Sequence, residues 1–248
     1  MLILAAVLIG AIAAAHIVPF PFLLEAFRPA GSVWRIKPTA GSPRTIYFTF
    51  DDGPNPYWTP PLLDALKETG VRATFFLIDD YVTDATAPIV KRIADEGHVI
   101  GLHSGTRRLM ILSPEAMVRH LERAASRIEA ITGREPCRLF RPHAGWRSAT
   151  MYTALSRANF RLAGWSWGMW DWDWWRAPRA DRIEKRLLGK ASPGDIIVIH
   201  DGHHKNPERD RRHAGEAVRR LAPALSARGY SFGTLCESSS PGRSGSIR

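Results

Sequence analysis

The sequence predicts an α/β domain in which parallel strands are joined by helical crossovers, as in a doubly wound sheet or a barrel. Three observations lead to this prediction. Short apolar runs alternate about seven times with amphipathic segments. The 248 residues, 45% hydrophobic and 23% charged, suit one large domain with a packed core. Polar clusters follow the apolar runs, at the strand ends where the active sites of both folds gather.

The predicted strands are apolar runs bounded by glycine, proline or polar residues. In chain order they cover residues 46–50, 73–78, 98–103, 137–142, 160–167, 195–200 and 230–235. The first run, IYFTF, leads into Asp-Asp-Gly-Pro, and the sixth, DIIVIH, is apolar from its second residue until its final histidine. Both therefore end in ionisable groups at the same edge of the predicted sheet.

The predicted helices lie between these runs and carry apolar residues at helical spacing. They cover residues 58–70, about 84–96, 113 to at least 131, about 148–158, about 180–190 and 213–228. Gly70 and Gly97 end the first two helices. Ser113 is a suitable N-cap for the third, because Pro114 fits the first helical position and Glu115 complements the positive end of the helix dipole.

The ends of the chain differ in composition from this domain. Residues 1–27 are apolar over roughly the 20 residues needed to span a bilayer. We interpret them as a membrane anchor; a cleaved signal segment, suggested by Ala13-Ala14-Ala15, and a buried core helix are the alternatives. Either of the first two predicts a membrane-anchored or secreted, extracytoplasmic protein. Residues 28–42 are predicted to be a linker and residues 237–248 a disordered tail.

The formal charge of +10 comes mostly from arginine. Such a charge favours polyanions, whether anionic lipid headgroups, acidic cell-wall polymers or nucleic acid. The sequence has no zinc-finger spacing and no basic helix with interleaved aromatic residues, so nucleic acid is not an expected partner. The basic residues are scattered over the predicted helices, and we interpret them as a solvated surface.

The two cysteines, Cys137 and Cys236, are the only pair that a disulfide could join. Export would permit the bond. The predicted fold nevertheless puts them near opposite ends of different strands, which disfavours pairing.

The stretch TFDDGPNP places two adjacent carboxylates, Asp51 and Asp52, at the end of a buried strand. Two neighbouring anions at the edge of an apolar core repel each other and lose hydration. A bound cation would offset that cost, because one carboxylate could hold it while the other stayed free as a base. A simple turn is the alternative interpretation, since Asp and Gly-Pro are ordinary turn residues.

Other strand ends carry residues with suitable chemistry. His103 is a candidate metal ligand beside Ser104, and His200 is a candidate general acid because imidazole titrates near neutral pH. Arg141 could hold a carboxylate ionised through charge-assisted hydrogen bonds. A cluster of tryptophans could stack on sugar rings or fill the core: Trp165, Trp167, Trp170, Trp172, Trp174 and Trp175.

In this order and spacing, TFDDGP, His103-Ser104, the Arg141-Pro142 segment, the Trp-Asp segment and IVIH resemble the polysaccharide deacetylases of carbohydrate esterase family four. The resemblance covers residues 43–236. It implies a distorted (β/α)7 barrel, a single catalytic domain after the N-terminal apolar helix. It also implies metal-dependent removal of acetyl groups from N-acetylated glycans, such as chitin oligomers or peptidoglycan, or O-acetyl groups from xylan.

Carried over by motif, the resemblance implies a role for several residues. Asp51 would be the general base, Asp52 and His103 would bind a divalent metal, and His200 would be the general acid. The metal would be zinc, with cobalt or nickel as alternatives. The remaining implied roles are orientation of the base by Arg141, oxyanion binding by the backbone N–H near Ala144, and packing behind the catalytic groups by Asp173-Trp174.

The sequence departs from the family pattern at the second motif. His103-Ser104-Gly105-Thr106-Arg107 ends in arginine where the family has a second metal-binding histidine, and a guanidinium cannot coordinate a metal. RPHAG also offers His143 as a substitute ligand, and His203 and His204 are further candidates. Three hypotheses remain open: a divergent metal-dependent hydrolase, a metal-independent hydrolase in which Arg107 polarises the carbonyl, and a membrane-tethered glycan-binding protein without activity.

Overall fold

The computed structural model describes residues 3–7, 31–166, 171 and 177–236. Residues 3–7 are helical, and the rest of the predicted anchor lies outside the described residues, as do the predicted tail, Asp173 and Trp174. Within the described ranges, no helix combines the length and the hydropathy needed to cross a bilayer.

Seven parallel strands form the centre of the fold. They are β1 (Arg44–Gly53), β2 (Thr74–Ile78), β3 (Val99–His103), β4 (Leu139–Arg141), β5 (Arg161–Leu162), β6 (Ile196–His200) and β7 (Tyr230–Phe232). Their order is β5-β4-β3-β2-β1-β6, and β7 pairs with the first three residues of β1. The Ser166 N–H donates to the Ile196 carbonyl at 2.8 Å, which brings the two edges of the sheet together. The prediction of a distorted (β/α)7 barrel is therefore confirmed.

Helices cover the outside of the strands and follow the predicted pattern closely. They are α1 (Thr59–Thr69), α2 (Ala87–Asp95), α3 (Pro114–Thr132), α4 (Ala149–Arg157), α5 (Ala180–Leu188) and α6 (Arg212–Ser226). Ser113 caps α3 as expected, since its hydroxyl accepts the Ala116 N–H at 3.3 Å. Three short 3₁₀ turns directly follow strand ends or lie near them: Asp79–Tyr81, Arg107–Ile111 and His143–Gly145.

Alternation along each strand divides the core into two layers. In β1, Phe48 and Phe50 face the helices, whereas Tyr47 faces the interior of the barrel. The interior layer is small and includes Phe76 and Val198. Because each strand sends every second residue inward, the last inward residue of each strand points into the mouth of the barrel.

The segment before β1 packs onto the domain. Trp34 is fully buried, and Val33 pairs with Ala163 just beyond β5. Arg35 forms an ion pair of 3.2 Å with the buried Asp195 before β6. Residues 33–36, which fall in the predicted linker, thus lie between the two edges of the sheet.

Cys137 and Cys236 form a disulfide with Cα atoms 6.1 Å apart, so the sequence-based argument against pairing was wrong. That argument placed Cys236 at the far end of its strand. β7 is only three residues long and pairs with the start of β1, so its end remains near the beginning of the other strands. The Leu235 N–H accordingly reaches the hydroxyl of Thr74, the first residue of β2.

Candidate active site

The two carboxylates at the end of β1 reach the same cleft through a break in the strand. Side chains of consecutive strand residues normally point to opposite faces. Between Asp51 and Gly53 the pairing with β2 shifts register, and Asp52 has a left-handed backbone conformation with φ of 69°. Asp tolerates this conformation better than most residues. The bulge therefore turns Asp52 toward the mouth of the barrel without moving Asp51 out of it.

Strand register brings the other predicted groups to the same mouth. Asp51 lies opposite His200 on β6, and His103 on β3 lies opposite Arg141 on β4. All four side chains are at least nine-tenths buried. The structure thus gathers four residues that are separated by up to 149 positions in the sequence into one interior layer.

Arg141 fixes Asp51 through a fully buried ion pair. Its Nη1 lies 2.5 Å from Asp51 Oδ1 and also donates to the Thr49 hydroxyl at 2.8 Å. Nη2 donates to the Gly164 carbonyl at 2.7 Å, and the guanidinium lies 4.0 Å from the centre of the Phe76 ring. This network fixes the direction of the Asp51 carboxylate. Sequence reasoning did not identify Thr49, whose small polar side chain faces the barrel interior.

Asp52, His103 and His143 form a cluster with the geometry of a metal site. Their ligand atoms all lie within 4.8 Å of one another. His103 Nδ1 lies 2.7 Å from the Arg141 carbonyl and must carry the proton there, which directs Nε2 toward Asp52 Oδ1 at 3.1 Å. Asp52 Oδ1 is buried and has no hydrogen-bond partner among the described residues. A cation between these atoms would accept the lone pairs of His103 Nε2 and Asp52 Oδ1, so this set of ligand atoms fits a divalent metal.

The electrostatic environment keeps Asp52 ionised. Burial alone would raise its pKa, but the His103 imidazole 3.1 Å away outweighs burial and holds the pKa well below its usual range. Burial and the neighbouring His103 and His204 lower the pKa of His143 to about 3. A neutral imidazole next to an ionised carboxylate is the protonation pattern that metal binding requires.

His143 reaches the cluster because the chain turns sharply after β4. The Ser104 hydroxyl accepts the His143 N–H at 2.8 Å, and Ala144 follows with a left-handed φ of 52°. A non-glycine residue in this conformation costs roughly 1–2 kcal/mol, and such strain is concentrated at functional sites. His204 packs on His143 with ring centres 4.4 Å apart, and its Nδ1 is 3.9 Å from Asp52 Oδ2.

His200 is held by Asp171. His200 Nδ1 lies 2.9 Å from Asp171 Oδ1, and the His200 N–H donates to Oδ2 at 2.7 Å. Burial would lower the pKa of His200, but the charge and hydrogen bond of Asp171 outweigh burial and raise it to about 9. Asp171 Oδ2 also lies 3.1 Å from His213 Nε2 on α6.

Asp171 was not singled out as a site residue by the sequence analysis. The segment Trp170-Asp171-Trp172-Asp173-Trp174 contains two Asp-Trp pairs, and the prediction named only the second. Asp173 and Trp174 lie outside the described residues. Spacing alone cannot distinguish two carboxylates two positions apart when the strand before them is short.

The loop after β6 fits closely under the end of β1. The N–H groups of Asp201 and Gly202 both donate to the Asp51 carbonyl at 3.2 Å. A Cβ on Gly202 would lie 1.8 Å from the Asp52 carbonyl oxygen, so only glycine fits this position. Burial raises the pKa of Asp201 to about 7, although the Thr59 hydroxyl donates to it at 2.5 Å.

Arg107 lies beside the cluster rather than within it. Its guanidinium stacks over the Trp146 ring at 5.1 Å. Across the part of the chain that the structure describes, no ion pair joins Arg107 to Asp52. The position of Arg107 is therefore compatible with a separate cation bound by Asp52, His103 and His143.

Comparisons with known proteins agree with this geometry. A sequence model of the polysaccharide deacetylase family matches residues 39–163. The chain is 34% identical to a chitooligosaccharide deacetylase of Bradyrhizobium sp. (strain ANU 289), over 84% of this chain and 97% of the relative. It is 30% identical to a peptidoglycan-N-acetylglucosamine deacetylase of Bacillus cereus, over 87% and 96% of the two chains.

Solved structures give the same result. The fold is similar to that of the Bc1960 peptidoglycan N-acetylglucosamine deacetylase, with a TM-score of 0.71, 29% identity and coverage of 89% of this chain and 96% of that chain. It is also similar to a family 4 acetyl xylan esterase from Clostridium thermocellum, solved with a cobalt ion, with a TM-score of 0.67 and 29% identity over 78% of this chain and 89% of that one.

Proposed function

Because the chain belongs to the polysaccharide deacetylase family, we propose that it hydrolyses the acetamido group of N-acetylglucosamine in a linear glycan, such as a chitin oligomer or peptidoglycan. One observation carries the proposal. Asp51 and His200 lie opposite each other in register, each fixed by a buried partner, next to the three-residue metal cluster. A base, an acid and a cation site thus share one cleft.

The proposed metal site consists of Asp52, His103 and His143. The fit rests on the buried Asp52 Oδ1 without a hydrogen-bond partner among the described residues and on the neutral nitrogens that face it. A divalent cation held there supplies Lewis acidity, which makes water acidic enough to deprotonate near neutral pH and polarises a carbonyl. Zinc suits two imidazoles and a carboxylate in tetrahedral geometry, and cobalt or nickel are alternatives.

Asp51 acts as the general base. Its salt bridge with Arg141 occupies one carboxylate oxygen and leaves the other to receive a proton from the attacking water. The water oxygen then forms a bond to the acetyl carbon. We assign the backbone N–H of Ala144 to the developing oxyanion, because its left-handed turn lies directly beside His143. Loss of one such donor typically costs about 2.7–4 kcal/mol of transition-state stabilisation.

His200 acts as the general acid. The leaving amine is too basic to depart as an anion, so it must gain a proton as the carbon–nitrogen bond breaks. With a pKa raised to about 9, His200 carries that proton throughout the neutral range. Acetate and a glucosamine unit are the products, and no covalent enzyme intermediate is required.

The position of Arg107 favours a metal-dependent reaction over the metal-independent alternative. The Arg107 guanidinium lies over the Trp146 ring, so the two side chains present a positive charge and an aromatic face beside the cleft. We propose that this pair contacts the sugar next to the reacting one, because polar groups and aromatic faces together suit carbohydrate.

We also propose that the protein acts outside the cytoplasm. The disulfide between Cys137 and Cys236 supports this location, because such bonds persist in oxidising compartments. The apolar sequence of residues 1–27 supports export or membrane attachment.

Acetate release from N-acetylated chito-oligosaccharide by the purified protein tests the proposed reaction. We expect Asp51→Asn to lower the rate by at least about 10²-fold while the metal content stays unchanged. Asp80→Asn, at an exposed position on the same face, is the matched control and should retain the rate. A normal rate with Asp51→Asn would remove the base assignment.

Two further outcomes distinguish the alternatives. Oligosaccharide binding without acetate release would identify a glycan-binding protein. A much faster release of acetate from acetylated xylan than from chito-oligosaccharide would identify an O-acetyl esterase, like the clostridial acetyl xylan esterase.

A further inference from the structure

All seven strands begin at one end of the barrel, opposite the candidate active site. The segments that lead into them form a surface that we call the basal face. It consists of residues 31–44, 70–73, 96–98, 133–138, 158–161, 189–195 and 227–230. Asp52 lies eight residues after Arg44 along β1, so at about 3.3 Å per residue the basal face and the cleft are roughly 27 Å apart.

The basal face is strongly basic. Its segments contain nine Lys or Arg residues and three Asp or Glu residues, a net charge of +6 out of +10 for the whole chain. The described loop residues at the opposite end contain seven of each and have no net charge; they are residues 54–58, 79–86, 104–113, 142–148, 171, 177–179 and 201–211. The interpretation of the basic residues as scattered was therefore incomplete, because folding gathers most of the net charge on one face.

The three acidic residues of this face are already engaged. Asp195 pairs with Arg35 at 3.2 Å, Glu96 with Arg92 at 2.8 Å, and Glu135 with Arg138. Among the described residues, four of the exposed cations have no carboxylate partner: Lys37, Arg134, Arg161 and Lys190. Within the described part of the chain, the guanidiniums of Arg134 and Arg161 donate only to backbone carbonyls, those of Ala94 and Gly31, at 3.2 and 3.1 Å. Their positive charge is thus directed at solvent.

The basic surface is also concave. A cavity of about 850 Å³ opens on the basal face, and four arginines line it: Arg72, Arg134, Arg138 and Arg161. The disulfide between Cys137 and Cys236 lines the same cavity. Guanidinium groups around a depression provide paired donors for phosphate oxygens.

The apolar N-terminal sequence joins the domain at this face. Gly31 lies at the start of β5, where its carbonyl accepts the Arg161 side chain. The apolar residues 1–27 precede it by only a few positions. A sequence suited to a bilayer is therefore followed directly by the first described residues of the basal face.

We propose that the basal face docks on an anionic phospholipid bilayer and that the active-site cleft consequently points away from the membrane. Anionic lipid satisfies the uncompensated guanidiniums, and the adjoining apolar sequence brings the basal face to the bilayer surface. An acidic polymer acting as the substrate would instead have to reach the opposite end of the barrel, where the loops have no net charge. The docking holds the cleft roughly 27 Å further from the lipid than the strand beginnings.

Partitioning of the full chain between buffer and lipid vesicles tests the charge requirement. Partition coefficients are measured for phosphatidylcholine vesicles with and without phosphatidylglycerol. The measured quantity is the ratio of the first coefficient to the second, in which any contribution of the apolar segment cancels. Each basic residue near an anionic surface contributes roughly fivefold to partitioning, and less beyond a Debye length. We therefore expect the combined Lys37→Gln, Arg134→Gln, Arg161→Gln and Lys190→Gln variant to lower the ratio by at least about tenfold.

The matched control removes the same four charges from elsewhere. The combined Arg108→Gln, Arg119→Gln, Arg123→Gln and Lys205→Gln variant changes exposed residues outside the basal face. It should lower the ratio by less than about twofold, because those charges lie far from the docked lipid. Equal losses in the two variants would overturn the proposal, as would equal affinity of the native chain for phosphatidylglycerol vesicles and a soluble polyphosphate.

Energy transfer to a lipid-bound acceptor tests the orientation. Both cysteines of the chain are in the disulfide, so a single introduced cysteine can be labelled. Thr39→Cys reports on the basal face and Asn206→Cys on the opposite end. Transfer should be stronger from position 39 in anionic vesicles, and high salt should reduce the difference. Equal transfer from both positions, or stronger transfer from position 206, would contradict the proposed orientation.

Discussion

Asp171→Asn tests whether one buried carboxylate sets the protonation of the proposed acid. Asp171 contacts His200 twice, at 2.9 Å through Nδ1 and at 2.7 Å through the backbone N–H. The amide that replaces it keeps the shape but removes the charge that raises the pKa of His200 to about 9. Burial then dominates, and we expect the pKa to fall below the ordinary value of 6.5. This fall corresponds to roughly 3 kcal/mol or more.

The consequence for activity follows from the fraction of His200 that carries a proton. At about pH 7.5 the protonated fraction should fall from about 97% to less than about 10%. The rate should therefore drop at least tenfold at that pH and partly recover in acid. The basic limb of the profile of kcat/KM against pH should move from near 9 to below 6.5.

The assay is acetate release from chito-oligosaccharide between acid and alkaline pH. Asp84→Asn, an exposed carboxylate on the loop after β2, is the control and should leave the basic limb in place. A basic limb that stays near 9 in Asp171→Asn would refute the assignment of His200 as the acid controlled by Asp171.

Four further predictions concern stability and geometry. Arg141→Met should lower the free energy of unfolding by about 3–5 kcal/mol in urea titration, because it leaves the buried Asp51 unpaired. Gly202→Ala should lower Tm and metal affinity together, because its Cβ displaces the Asp52 carbonyl. Replacing both disulfide cysteines by serine should lower the free energy of unfolding by up to about 4.7 kcal/mol, since the bond spans 99 residues. The contribution of His200 to stability is present in full below pH 6.5 and should be lost as the pH rises through about 9. The Tm of the native protein should therefore fall over this pH range, and the Tm of Asp171→Asn should fall less.

The fold was accessible from sequence because its signals are local. Apolar runs and helical spacing are set by residues close together in the chain, and the structure reproduces their order. Two strands, β5 and β7, are shorter than the predicted runs 160–167 and 230–235. The disulfide was not accessible in this way. The disulfide forms because β7 is only three residues long and pairs with the first residues of β1, which is a property of the packed barrel.

The candidate site could be predicted only in part from the sequence, because some of its geometry also depends on the packed barrel. Strand ends identified Asp51, His103, Arg141 and His200, because parallel strands finish at one edge. The orientation of Asp52 depends on a bulge and a left-handed residue that no spacing reveals. The contact of Asp171 with His200 joins two residues 29 positions apart, and local patterns do not reveal such a contact.

Metal content of the purified protein tests the central claim most directly. Elemental analysis should find one equivalent of a divalent metal per chain in the native protein and in Asp51→Asn. We expect the metal to be lost in Asp52→Ala and strongly reduced in His143→Ala, because each removes one of three ligands. Full acetate release by protein that a chelator has freed of metal would contradict the account and favour Arg107 as the positive group.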